Sequence, residues 1–134
     1  MLRFLAVAIY AGILSIPLAA AAADFSGTWS VAGTLSTPSG SMNISPVCKL
    51  KQDSENRISG SCTGPSYLGS ADGAVDGNTI VWHWDGVAKH DGAVPNVKAT
   101  FKGTLGSDGI IRGTWTDTLV PEGASGIFTA LKTK

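Results

Sequence analysis

The sequence predicts an all-β fold: a single eight-stranded antiparallel up-and-down β-barrel with one disulfide, Cys48 to Cys62. Three observations predict it. Apolar and polar residues alternate with a period of two, bends rich in Asp, Asn, Ser and Gly separate the alternating segments, and those bends are short and long by turns. The alternation is clearest at 97–105, where Val97, Ala99, Phe101, Gly103 and Leu105 take one face. Lys98, Thr100, Lys102 and Thr104 take the other, so one face is buried and the other wet.

The first 23 residues stand outside this pattern. Met1-Leu2-Arg3 is a short positive start, residues 4–14 form an apolar run, and Ala19 to Ala23 offers small-residue cleavage sites before Asp24. That is the grammar of a signal peptide, and the run falls short of the ~20 apolar residues a membrane helix needs. The expectation is a secreted or periplasmic protein with no membrane anchor. Residues 24–134 then suffice for one domain with one core. Ten basic residues less Arg3 leave nine against ten acidic ones, and Lys49, Lys51, Lys98 and Lys102 alternate on solvated strand faces. No basic stripe results, which excludes nucleic acid as an expected partner.

Eight strands are predicted at 26–35, 41–52, 56–64, 69–76, 79–85, 96–105, 110–119 and 126–132. The connections at 53–55, 77–78 and 106–109 have hairpin-turn chemistry. Those at 36–40, 65–68, 86–95 and 120–125 are longer, and Pro38, Pro65, Pro95 and Pro121 lie in or beside them. In a meander, successive connections emerge at opposite ends, so tight turns gather at a closed rim and long loops at an open one. A two-layer sandwich is the alternative, but its Greek-key crossings need a connection between distant strands that this spacing does not require.

The hairpins fix registers. Across 53–55 the opposed residue numbers sum to 110, setting Leu50 against Gly60 and Cys48 against Cys62, and an oxidising compartment favours their bridge. A redox-active pair would want closer spacing and an electropositive, exposed setting. Across 77–78, Gly73 faces Trp82 and Ala71 faces Trp84. An apolar-x-Gly-Ser/Thr-x pattern recurs at 25–29, 58–62, 101–105 and 111–115, and reads as a packing device that makes room for large side chains opposite.

Candidate site residues follow from parity. Trp29, Trp82, Trp84, Trp115 and Phe101 project inward, with Trp84 nearest the open rim beside Tyr67 and Leu35. A barrel of this size has an interior just wide enough either to be packed solid or to hold one small ligand. Asp117 is the one carboxylate on an inward register, near the open end with Leu119; it serves either to orient a ligand or to bond a neighbouring loop. The ligand-binding set is therefore Tyr67, Trp82, Trp84, Phe101, Trp115 and Asp117. His83 falls on the outward face and His90 in the longest loop, and no zinc, phosphate-loop or nucleophile-elbow spacing occurs, so neither metal nor cofactor nor catalysis is expected. Asn43-Ile44-Ser45 matches a glycosylation acceptor, followed by Pro46.

At Gly27-Thr28-Trp29 the chain resembles the calycin-type barrels, the lipocalin and avidin families, which open with a Gly-x-Trp whose indole seals the closed end. Ile80-Val81-Trp82 is similar to the fifth strand of avidins and residues 126–131 to their last. The resemblance implies a ligand-binding barrel with Trp82, Phe101 and Trp115 at aromatic pocket positions. It does not carry over biotin binding or the avidin tetramer: Val31 stands where an avidin places Asn, Cys62 where it places Tyr, and no Trp lies between Val120 and Ser125. Two functions are thus expected in order: a binding barrel for a small apolar or aromatic molecule, and an inhibitor or interaction module whose long loops meet a secreted enzyme or surface partner. Small disulfide-bearing inhibitor barrels are an analogy for the second at the level of fold.

Overall fold

Period-two alternation builds every element of the computed structural model, which describes residues 21–38, 40–89, 92–118 and 124–133. The strands are β1 (Gly27–Thr37), β2 (Gly40–Ile44), β3 (Val47–Gln52), β4 (Arg57–Gly64), β5 (Tyr67–Asp76), β6 (Thr79–Ala88), β7 (Asn96–Leu105), β8 (Ile110–Asp117) and β9 (Gly126–Lys132). They pair antiparallel in sequence order, and β1 closes on β9 from Trp29↔Lys132 to Thr34↔Ile127. The result is a closed eight-stranded barrel, because β2 and β3 are one strand interrupted at Ser45-Pro46. Pairs on both sides of the break, Gly33↔Ile44 and Trp29↔Cys48, keep one register with β1. Pro46 has no N–H to give the ladder, but its carbonyl still accepts from Val31 N at 2.9 Å.

Both predicted hairpin registers are present: Cys48↔Cys62 with Leu50↔Gly60, and Gly73↔Trp82 with Ala71↔Trp84. The disulfide Cys48–Cys62 joins the facing pair. At the open rim the sequence-based expectation needs correction. The ladder runs on through Thr37↔Gly40, Gly64↔Tyr67 and Tyr67↔Ala88, so two connections predicted to be long have only two residues between strands, and the longer intervals between strands are 89–95 and 118–125. Gly86 conceals this continuation in the sequence, yet it is what permits it, since a Cβ there would lie 2.3 Å from the Leu68 carbonyl oxygen. Residues 1–20, His90 and Leu119 lie outside the described residues.

The tight-turn end is plugged by the segment before β1. Phe25 N donates to Gln52 Oε1 at 2.8 Å, Ala23 N to the Gly77 carbonyl at 2.9 Å, and Trp29 Nε1 to the Phe25 carbonyl at 2.9 Å. Phe25 and Trp29 are fully buried there. Above them lies a row of rings contributed by adjacent strands. Trp82 stacks on Phe101 at 4.8 Å and 9°, Phe101 on Trp115 at 6.1 Å and 17°, and Phe128 stands edge-on to Trp82 and Phe101 at 5.4 Å from each. Offset stacks and edge contacts of this kind are the favourable aromatic geometries.

Two sets of glycines have different reasons to be small. In the recurring pattern, a Cβ at Gly60 or Gly113 would meet a cross-strand carbonyl oxygen at 1.9 or 1.8 Å, so these positions serve close backbone approach and not a facing indole. The indoles press instead on Gly33 and Gly126, against Trp115, and on Gly69, against Trp84.

Candidate functional site: a cavity at the open rim

The barrel interior is filled from the plugged end up to the ring row and is empty above it. A cavity of about 260 Å³ opens there, with Tyr67, Trp84, Phe101, Trp115 and Asp117 in its lining. Registers explain the space. Ala71, Trp84, Ala99 and Asp117 form one inward row across β5 to β8, and Gly73, Trp82, Phe101 and Trp115 form the row below. Ala99 is the only side chain between Trp84 and Asp117 in that row, so the cavity reaches down to the Phe101 ring. Cross-strand spacing puts the Trp84 and Asp117 backbones roughly 9–10 Å apart.

The far wall comes from β2. Below Pro46 the strand is paired on both sides, to β1 and β4, whereas above it β2 pairs with β1 alone. Met42, Ile44 and Pro46 line the cavity where β2 parts from β4. Sequence reasoning missed these three, although the inward parity of Ile44 and the ladder-breaking Pro46 were available signals.

Hydrogen bonding makes the wall apolar. Trp84 Nε1 donates to the Cys62 carbonyl at 3.1 Å and Trp115 Nε1 to the Ile127 carbonyl at 3.2 Å, so both indole donors are consumed by backbone. Tyr67 stands edge-on to Trp84 at 6.3 Å and 88°. Its phenol is pushed up from the ordinary value of 10.0, first by burial and then by the negative charge of Asp117, which is felt across the cavity mouth. Asp117 is half-buried and makes its own interaction within the protein. Lys89 reaches the mouth from the exposed rim.

Of the six sequence-predicted residues, the fold brings five together around this space. Trp82 shares the row of Phe101 and Trp115 but does not line the cavity: it is fully buried and stacks against Phe101 from the neighbouring strand. Its Nε1 is the one buried side-chain N or O atom, among the described residues, without a hydrogen-bond partner. Leu35 is buried and also lies outside the lining. His83 is exposed on the outer face, with Nδ1 3.1 Å from Thr100 Oγ1. No group of three or more His, Cys, Asp or Glu residues that could hold a metal occurs among the described residues.

No family model matches this chain, and neither the curated proteins nor the solved structures contain a match to it; the barrel and its rim cavity are therefore the ground for a functional reading.

Proposed function

We propose that this protein is an exported binding barrel that holds one small apolar or aromatic molecule at its open end, against Tyr67, Trp84, Phe101 and Trp115, with Asp117 at the mouth. The observation that carries this reading is the cavity of about 260 Å³ above the ring row. An apolar cavity of about 150 Å³ accepts benzene, so the space suits one ring with a short substituent. Apolar walls with a few polar groups are the usual character of small-molecule sites. Binding is preferred to catalysis because the lining gives Asp117 no second carboxylate and no histidine among the described residues. The signal-peptide pattern of residues 1–23 and the disulfide support export, since oxidising compartments favour such bridges. Kinship with the avidin and lipocalin barrels belongs to the same proposal, supported by the eight-stranded barrel and by Gly27-Thr28-Trp29 at its start.

Tryptophan fluorescence titration with a panel of one-ring aromatic compounds tests the reading. Saturable quenching is expected, and Trp84→Phe should remove a large part of it. A panel that leaves the emission unchanged at millimolar concentration would sink the proposal.

A second reading, an interaction module, is favoured by one observation: Leu68 and Val94, the latter within the connection 89–95, are 65% and 60% exposed at the open rim. Capture of a partner from culture medium, repeated after shortening 89–95, examines it. Equal capture by the shortened protein counts against that surface.

A further inference from the structure

The cavity is not uniformly apolar, and the placement of the one negative charge among its described lining residues narrows what it accepts. We infer that the occupant is a compact organic cation: an ammonium group carried on an aromatic or short alkyl body. The inference rests on the binding reading above and specifies its ligand.

Three features of the cavity carry it. First, Asp117 shares an inward row with Trp84, and only the Ala99 methyl separates them in that row. A molecule resting on the Phe101 ring therefore has a carboxylate on one side and an indole on the other. Second, Tyr67, Trp84, Phe101 and Trp115 give that carboxylate apolar neighbours, and opposite charges attract more strongly where water is excluded. Third, both indole N–H groups in the wall are already given to the Cys62 and Ile127 carbonyls. An anionic ligand would find those two donors spent.

Asp117 already has an interaction inside the protein, and a carboxylate, with about four acceptor sites on its two oxygens, can accept from a ligand alongside it. Lys89 is the competing charge. Its side chain is exposed at the rim, whereas Asp117 is half-buried on an inward register, so the cation it would repel sits deeper than its own head group. A ligand carboxylate entering to the same depth would face Asp117 directly.

The test uses the purified, disulfide-bonded protein and three probes of similar size: 2-phenylethylamine, 2-phenylethanol and 3-phenylpropionate, titrated at pH 7 and low salt by calorimetry. The amine should bind about tenfold more tightly than the alcohol, and the propionate most weakly. Asp117→Asn should bring the amine to within about twofold of the alcohol while leaving the alcohol's affinity in place, with near-ultraviolet circular dichroism reporting that the barrel is intact. Equal binding of amine and alcohol by the unmodified protein overturns the cation inference and leaves the pocket reading standing. An Asp117→Asn variant that keeps the amine preference overturns it in the same way. Preference for the propionate, abolished by Lys89→Gln, overturns it in favour of an anion. Failure of all three probes to bind removes the pocket reading and this inference together. The comparison among probes on the unmodified protein does not depend on any variant folding.

Discussion

Trp84 and Trp115 occupy their positions because glycine stands where they lean. A Cβ on Gly69 would lie 2.6 Å from Trp84 Nε1, and one on Gly126 would lie 2.5 Å from Trp115 Nε1. The carbonyl acceptors at Cys62 and Ile127 then fix the two rings. Gly113 has a different duty, since its Cβ would fall 1.8 Å from the Lys102 carbonyl oxygen, a backbone atom that cannot rotate aside. Gly113→Ala should therefore destabilise the barrel by about 3 kcal/mol or more, read from the urea unfolding midpoint. Thr114→Ala, one residue on and exposed, should stay within about 0.5 kcal/mol. At this scale the sequence was partly legible. The inward parity of Trp82, Trp84, Phe101 and Trp115 could be read from alternation, but which of them border the cavity could not, and Trp82 proves to be covered, stacked beside Phe101 outside the lining.

Turns set the elements, and aspartates set the turns. In the β3–β4 connection, Asp53 Oδ1 accepts from Glu55 N at 2.8 Å and Arg57 N at 2.9 Å, while Asn56 adopts a left-handed φ of 61°. In the β7–β8 connection, Asp108 accepts from Ile110 N and pairs with Arg112 at 2.7 Å. These bonds favour the charged carboxylates: Asp53 is held below its ordinary value chiefly by the Arg57 backbone, and Asp108 is lowered to about 2, chiefly by the Arg112 side chain. A folded-state pKa below the unfolded one contributes stability that is present above the unfolded value of 3.8 and is lost as pH falls through the folded one. The melting temperature should accordingly fall between about pH 4 and pH 2, and Asp53→Asn with Asp108→Asn should flatten part of that fall. Both groups are at the surface, so the effect should shrink in high salt. The existence of these bends was plain from composition. The strand ends at the open rim were not, because Tyr67, Leu68 and Gly86 read as loop residues and belong instead to a continuing ladder.

The whole molecule is closed by six residue pairs between β1 and β9, from opposite ends of the described chain. Closure leaves few unpaired edges, and the segment of β2 above Pro46, bonded only to β1, is one of them. The disulfide ties the strand carrying that segment to β4 at a sequence separation of 14. Replacing both cysteines with alanine should cost about 3 kcal/mol on the loop-entropy estimate, lowering the melting temperature by roughly 10–20 °C. Cys62 also lines the cavity, so the same double variant should weaken ligand-induced quenching.

Alternation, bend chemistry and the arithmetic of hairpins were enough, in the sequence alone, to determine the all-β class, the inward face of the core residues, the registers across 53–55 and 77–78, and the pairing of Cys48 with Cys62. All of these depend on residues close together in the chain. The register in which β1 closes on β9, the parting of β2 from β4 at Pro46, and the empty space above Phe101 were decided only in three dimensions. Whether an inward row fills its cross-section depends on the summed size of side chains from strands far apart in the chain, and a two-residue rhythm carries no record of that sum.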